Sequence, residues 1–452
     1  MELSPAMLTL LVLGVMAVLF ITERVPLALT AMGGAMALGV LGVISPSVVF
    51  SGLSNSTVVL FAAMFVIGAA MFHTGLAQWL GALVVKGCGS GEKNLMFGTM
   101  LIAALLSAIS SNTGTTAALM PVVIGICSAA RISASRQLMP LAFAASIGGT
   151  ITLVGTPPNI IANAALKAGD LTPFGFFEFG KIGIPMTLIG IAYMMFVGFR
   201  FLPKGDDPAG EGVDAPPTPS EASGKSGGPH LMAGQIEASS PEAGAAKAQT
   251  PGNLPKMWIT GLTLLAVVVV MALDVKRIPL EMAASIGAAF LVLTGCIGEK
   301  LAYRSIDWVT IFLFAGMMPV ATALDKSGAG KLIADSVINL MGGDPSPYLL
   351  TAVLFTLSAG LTQFMSNTAS AALLCPIGLS IAKGIGCSPH AVIMAVCIAA
   401  SCAFATPVGT PPNTLVLGAG KYRFMDYTRA GFPLVIIYLL FCTFYIPMIW
   451  PF

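Results

Sequence analysis

The chain has 452 residues, of which 56% are hydrophobic and only 9% charged, whereas a water-soluble domain spends about a quarter of its residues on Asp, Glu, Lys and Arg. With 22 basic residues against 20 acidic ones the formal net charge is +2, which leaves neither a basic face for nucleic acid nor an acidic tail. A soluble fold and nucleic-acid binding are excluded, and a polytopic, all-α integral membrane protein is expected.

The first apolar run, Leu8 to Ile21, has no basic n-region and no small-residue cleavage site, and a second run follows it directly after Glu23 and Arg24. It reads as a spanning helix and not as a signal peptide. At about 20 apolar residues per span, the first half predicts helices near 4–22, 26–44, 57–73, 138–166 and 182–202. Between the third and fourth lies an uncharged stretch, about 94–130, with Ser107, Ser110, Ser111, Asn112, Thr113, Thr115 and Thr116 at its middle. Two spans or a re-entrant hairpin fit its length, and hydroxyls and amides clustered at one depth favour the hairpin.

Residues 203–256 are rich in Pro, Gly, Ser and Ala. Such a composition cannot bury enough apolar surface to order itself, so a disordered cytoplasmic linker is expected. Beyond it, helices near 257–274, 279–297, 307–324, 391–418 and 432–450 flank a second uncharged stretch at 348–382. The eight cysteines (88, 127, 296, 375, 387, 397, 402, 442) form no C-x-x-C pair and sit mostly in apolar runs, which suits small packing residues better than disulfides or zinc.

The halves repeat one another in sequence. Arg24-Val25-Pro26-Leu27 recurs as Arg277-Ile278-Pro279-Leu280, Ser111-Asn112-Thr113 as Ser366-Asn367-Thr368, and Gly155-Thr156-Pro157-Pro158-Asn159 as Gly409-Thr410-Pro411-Pro412-Asn413. Three matches in one order at almost one offset indicate duplication. If each hairpin enters and leaves on one side, each half crosses the membrane five times. An odd number turns the second half upside down, giving inverted repeats at 1–202 and 257–452. Placing both termini outside puts Arg24, Lys86, Lys93, Arg131, Arg136, Arg200, Lys300, Arg304, Lys421, Arg423, Arg429 and the linker in the cytoplasm, as basic residues prefer. Trp258, Trp308 and Trp450 fall near helix ends, where interfacial anchors belong.

Each Ser-Asn-Thr is a set of N-cap residues followed by an apolar helix, Thr116 to Cys127 and Ala371 to Ala382. Buried helix N-termini favour an anion, and two of them facing each other suit a ligand with two anionic ends. The two prolines of each Gly-Thr-Pro-Pro-Asn should break the fourth helix and free carbonyl oxygens for a small hard cation. A lone Ser or Thr in a membrane helix usually bonds back to its own backbone. Two matched clusters beside two matched breaks mark a site instead. Neither hairpin nor broken helix holds an Asp, Glu, Lys, Arg or His; His73 and Glu281 lie at helix ends, and His73 and His390 read as interfacial. Sodium coupling is thereby favoured over proton coupling, with co-bound cations neutralising a dianion.

With its paired Ser-Asn-Thr and paired Gly-Thr-Pro-Pro-Asn, nearly the whole chain outside the linker resembles the divalent anion/sodium symporter (DASS) family of the ion transporter superfamily. That resemblance implies a homodimer on a scaffold domain, re-entrant hairpins carrying the Ser-Asn-Thr tips, and elevator-type movement. It places substrate at Asn112, Thr113, Asn367 and Thr368, with Ser111, Ser366, Thr156, Pro157, Thr410 and Pro411 beside them. It assigns one sodium site to Ser107, Ser111, Asn112 and backbone near Gly155, and the other to Thr362, the Met365 backbone, Asn367 and backbone near Gly409. Gly114 departs from the Ala that many relatives carry after the first motif, and the Gly-Thr-Pro-Pro-Asn form also resembles that of oxyanion carriers. The expectation is a multi-pass cell-membrane symporter of sodium and a small divalent anion, a C4-dicarboxylate such as succinate first, without organic cofactor or enzymatic activity. A sulfate or other oxyanion permease, an anion exchanger and a proton-coupled transporter are the alternatives.

Overall fold

The computed structural model describes residues 4–87, 91–203, 254–273, 277–340 and 346–451, and among them all regular structure is helical. The first half runs α1 (Pro5–Thr22), α2 (Leu27–Val40), α3 (Pro46–Val49), α4 (Ser56–His73), α5 (Leu76–Gly87), α6 (Glu92–Ser107), α7 (Asn112–Ala130), α8 (Ser135–Gly148), α9 (Pro157–Ala168) and α10 (Gly180–Phe196). The second half repeats the order: α11 (Leu254–Ala272), α12 (Leu280–Leu293), α13 (Glu299–Arg304), α14 (Trp308–Ser327), α15 (Ala329–Leu340), α16 (Pro347–Leu361), α17 (Asn367–Ile385), α18 (Pro389–Ala400), α19 (Pro411–Ala419) and α20 (Phe424–Ile449). Every element thus has its counterpart ten places on. The linker expected at 203–256 lies outside the described residues except for Pro203 and for 254–256, where α11 has already begun.

Among the described residues, eight helices are long and apolar enough to cross a bilayer: α1, α4, α7, α10 with the short turn after it, α11, α14, α17 and α20. The stretches at 94–130 and 348–382 are helix pairs, α6–α7 and α16–α17, each joined by a tight turn at Ser-Asn-Thr. The fourth helices are broken as expected, into α8 and α9 and into α18 and α19. Hydropathy passes over α5 and α15, which are only 12 residues long and carry charges (Lys86; Lys331 and Asp335) that spoil an apolar window. Trp258 and Trp308 are exposed, as anchors should be, but Trp450 is buried and donates from Nε1 to Glu178 Oε1 at 2.9 Å.

The helices form two interlocked groups. In one, α2 packs along α14 and α4 along α12, so each half clasps the other, while α1 lies on α2 and α11 on α12. Water is not the solvent for these faces, and close approach of small residues takes its place as the source of attraction. At Gly316 of α14 a Cβ would stand 2.5 Å from the Ala31 backbone of α2, so only glycine permits the contact. In the other group α8 and α18 form the centre: α6 and α7 pack on α8, α16 and α17 on α18, and the broken ends cross over, α9 on α18 and α19 on α8. All ten residues from Ala391 to Ala400 are fully buried. Tyrosine hydroxyls tie the outer helices across the halves, Tyr193 to the Ala430 carbonyl and Tyr438 to that of Met186, both at 2.8 Å.

Candidate functional site

Between α8 and α9, and again between α18 and α19, the helix stops for eight to ten residues and its carbonyls lose their partners. In both copies the last residue of Gly-Thr-Pro-Pro-Asn repairs the gap. Asn159 Nδ2 donates to the carbonyls of Thr152 (2.7 Å) and Gly149 (3.2 Å), and Asn413 Nδ2 to those of Ala403 (2.8 Å) and Thr406 (3.0 Å). The prolines do not kink a continuous helix. They open α9 and α19 at positions where a missing N–H costs nothing.

A second pair of threonines fastens each break to its hairpin. Thr152 Oγ1 donates to the Ala108 carbonyl, and Thr406 Oγ1 to the Gln363 carbonyl at 2.6 Å. Gln363 adds its own amide, donating to the carbonyls of Ala359 (2.7 Å) and Cys402 (2.9 Å) and accepting from Ala405 N.

At the hairpin tips Ser111 and Ser366 are N-caps, accepting from Gly114 N (2.9 Å) and Ala369 N (3.2 Å). Asn112 and Asn367 are the first helical residues, and each turns one corner of its amide into a small cage of oxygens. The Asn112 corner lies 2.6 Å from Ser107 Oγ, 3.1 Å from the Gly155 carbonyl and 3.2 Å from the Ala145 carbonyl. The Asn367 corner lies 2.8 Å from Thr362 Oγ1, 3.1 Å from the Ala400 carbonyl and 3.2 Å from the Gly409 carbonyl. The two cages are the same construction twice. They are also neighbours, since Cys397, one turn before Ala400, donates from Sγ to Asn159 Oδ1 at 3.2 Å, and Asn159 stands four residues after Gly155.

The expected residues are therefore largely assembled. Ser107, Asn112 and Gly155 meet in one cage, and Thr362, Asn367 and Gly409 in the other. The side chains of Ser111 and Ser366 each accept one cap bond, which leaves the hydroxyl proton and a second lone pair for a ligand. The corner in the second cage meets Ala400 and Gly409, while Met365 is buried nearby with its N–H on the Leu361 carbonyl. Thr156 and Thr410 are buried beside the breaks and cap nothing. Thr113 and Pro411 are exposed, and Thr368 and Pro157 are half-buried, so these four face outward from the cages. Sequence reasoning missed the Ala145 and Ala400 carbonyls, which carry no side-chain signature, and the work of Asn159, Asn413, Thr152 and Thr406. The last four were visible as one longer repeat, Thr-x-Val-Gly-Thr-Pro-Pro-Asn, at 152–159 and 406–413.

Chemically the cages offer neutral hydroxyl, amide and carbonyl oxygens, the donors that hard cations prefer. Among the described residues no group of three or more His, Cys, Asp or Glu could hold a metal ion. Glu23, in the turn after α1, lies by the Ser366 tip. Burial raises its carboxyl above the usual range, and the Ser366 backbone N–H opposes that shift.

A family model described as a citrate transporter (CitMHS) matches residues 17–386 and 364–452. The uncharacterized transporter YfbS of Escherichia coli (strain K12) is 29% identical over 97% of this chain and 98% of its own length. The sodium-dependent dicarboxylate transporter SdcS of Staphylococcus saprophyticus is 26% identical over 91% of this chain and 80% of its own. Among solved structures, the Alcanivorax borkumensis YdaH transporter aligns with a TM-score of 0.64 at 17% identity, covering 99% of this chain and 98% of that one.

Proposed function

Because the chain belongs to the citrate transporter (CitMHS) family, within the ion transporter superfamily, we propose that it is a sodium-coupled symporter of a small divalent anion, with a C4-dicarboxylate such as succinate as first candidate. One observation carries this reading: two matched, uncharged oxygen cages, each closed by a buried asparagine at a helix N-terminus. Each cage takes a sodium ion. The positive ends of α7 and α17, with Thr113 and Thr368, take the two carboxylates. No arginine or lysine lies in either hairpin turn or either break, so the dianion is neutralised by the ions that travel with it. The SdcS relatives are named for the same pair of solutes.

The same reading supplies the movement. The α6–α10 and α16–α20 group carries the cages past the clasped α2–α14 and α4–α12 pairs, exposing the site to one side of the membrane and then to the other. It is supported by the unequal packing of the halves: α17 lies tightly against α14 and α15, whereas their counterparts α4 and α5 hold α7 loosely.

Purified protein in liposomes tests the proposal. Labelled succinate, citrate and sulfate are offered with an inward gradient of sodium, of lithium or of protons alone. Succinate uptake is expected to require sodium and to vanish in Asn112→Ala and Asn367→Ala, each checked for folding. Uptake driven by protons without sodium, or normal uptake in both variants, overturns it; sulfate or citrate outrunning succinate replaces the substrate.

A further inference from the structure

An amide buried in a membrane protein is costly unless both its ends are met. Gln363, the residue after Thr362 in the second hairpin turn, is only 8% exposed, and both ends of its amide are met. Nε2 donates to the carbonyls of Ala359 in α16 and Cys402 in the break, while Oε1 accepts from Ala405 N, so the partners fix which end points where. Its backbone carbonyl accepts from Thr406 Oγ1, and that hydroxyl in turn accepts from Gly409 N at 3.2 Å. Gln363 thus grips residues 402, 405 and 406, and through Thr406 it reaches Gly409, whose carbonyl is a cage oxygen. On the opposite flank Thr362 Oγ1 donates to the Ala400 carbonyl at 2.7 Å. The second cage is braced from both sides by the protein itself. At the offset of 255 that relates the two Ser-Asn-Thr motifs, the place of Gln363 falls to Ala108. There a methyl replaces the amide, and the Thr152 hydroxyl, on the Ala108 carbonyl, is left to make the corresponding tie.

We propose that Gln363 is a positioning residue that holds the second cage in its liganding shape before an ion arrives, so that the Asn367 cage fills at lower sodium concentration than the Asn112 cage and fills first. Carbonyl oxygens drawn together around one point repel each other, and assembling them at the moment of binding costs ordering entropy that a braced shell has already lost in folding. Partners that orient a shell of ligands from outside are worth about 10- to 100-fold in metal affinity. The first cage lacks this brace and draws Gly155 and its neighbours into place only as its ion binds. Both cages serve transport, but they engage at different sodium concentrations although their liganding oxygens match. This rests on the sodium–anion reading of the site and adds to it the order in which the ions enter.

Thermal unfolding of the purified protein in detergent tests the order. Sodium chloride is titrated without anion, choline chloride keeping the ionic strength constant, and each bound ion raises the midpoint by mass action. The wild type is expected to show two stages, a shallow one-ion rise and then a steeper two-ion rise, with onsets at least about 10-fold apart in sodium concentration. Thr362→Ala should remove the early stage and Ser107→Ala the late one. Gln363→Met, of similar volume but without the amide, should move the early onset up by about 10-fold or more and merge the stages. A purely structural glutamine would instead lower the midpoint equally at every sodium concentration and leave the onset in place, which overturns the proposal. Two ions entering in one stage in the wild type, or Ser107→Ala removing the early stage, overturns it as well. Where Gln363→Met does not fold, Thr406→Val, which releases Gly409 from the brace and keeps the amide, is read by the same outcomes. A wild-type protein without any sodium-specific stabilisation removes the sodium sites themselves and not merely their order.

Discussion

Helices α7 and α17 are the same object by every local measure. Both have 19 residues, begin with a serine-capped asparagine and carry a proline at their tenth position, Pro121 and Pro376. Yet thirteen residues of α17 are buried and only six of α7. The breaks follow suit: nine of the 12 residues of α9, which packs on α17, are buried, against three of the 9 in α19, which packs on α7. Duplicated sequence has reproduced caps, breaks and cages, but not their surroundings. One cage sits behind a sealed face of α9, α14, α15 and α17, and its twin beside an open one. Local chemistry and access are thus separable, and a carrier that alternates its access needs that separation.

The largest expected effects fall where the halves are alike. A Cβ at Gly155 would stand 2.4 Å from the Gly149 carbonyl, and one at Gly409 would stand 2.5 Å from the Thr362 carbonyl. Gly155→Ala and Gly409→Ala should each cut sodium-driven uptake by about 100-fold or more, equivalent to roughly 3 kcal/mol. An active variant at one position alone would show that the cages are unequal.

Next come positions where the halves differ. Ile381 of α17 is 1% exposed, and its counterpart Ile126 of α7 is half-buried. Ile381→Ala should cost about 2–4 kcal/mol and lower the unfolding temperature by several degrees, while Ile126→Ala should cost under about 1 kcal/mol. Equal losses would mean that the open face closes in the membrane. With Cys88 and Cys387 replaced by serine, Thr113→Cys should react with a water-soluble maleimide faster than Thr368→Cys, and the order should reverse in whatever state seals α7.

The smallest effect concerns Glu23 at the α17 tip. Its carboxyl is raised in the folded protein, so its contribution to stability is present at low pH and lost as pH rises through the raised value. Relative to Glu23→Gln, the wild type should lose stability as pH rises from the ordinary carboxylate range through the raised value, by a small amount because Glu23 is exposed and screened. A flat difference in unfolding temperature would detach Glu23 from the tip.

Much of this was legible in the residues because it is local. Apolar runs of the right length gave the long helices, and the paired motifs located both turns and both breaks. Ser107 and Thr362 came from the family resemblance, and each lies four residues before its motif. What escaped depends on distant parts of the chain. Helices α5 and α15 are short and amphipathic, and their hold on the hairpins is tertiary. Trp450 reads as an anchor until the fold brings Glu178 and Phe174 against it. The cage carbonyls of Ala145 and Ala400 belong to the backbone, which every residue shares. Unequal burial of the twin helices was not read from their sequences, which share the capping motif and the central proline.

The clasp of α2 with α14 and of α4 with α12 has a consequence for biogenesis. Each of these pairs draws one member from either side of residues 204–253, so neither half holds the complement of its own packing faces. Early segments leaving the insertion machinery must wait in lipid until ribosomal synthesis has delivered the late ones. Two separately expressed fragments cut between residues 204 and 253 should accordingly assemble when made together, and neither should accumulate when made alone.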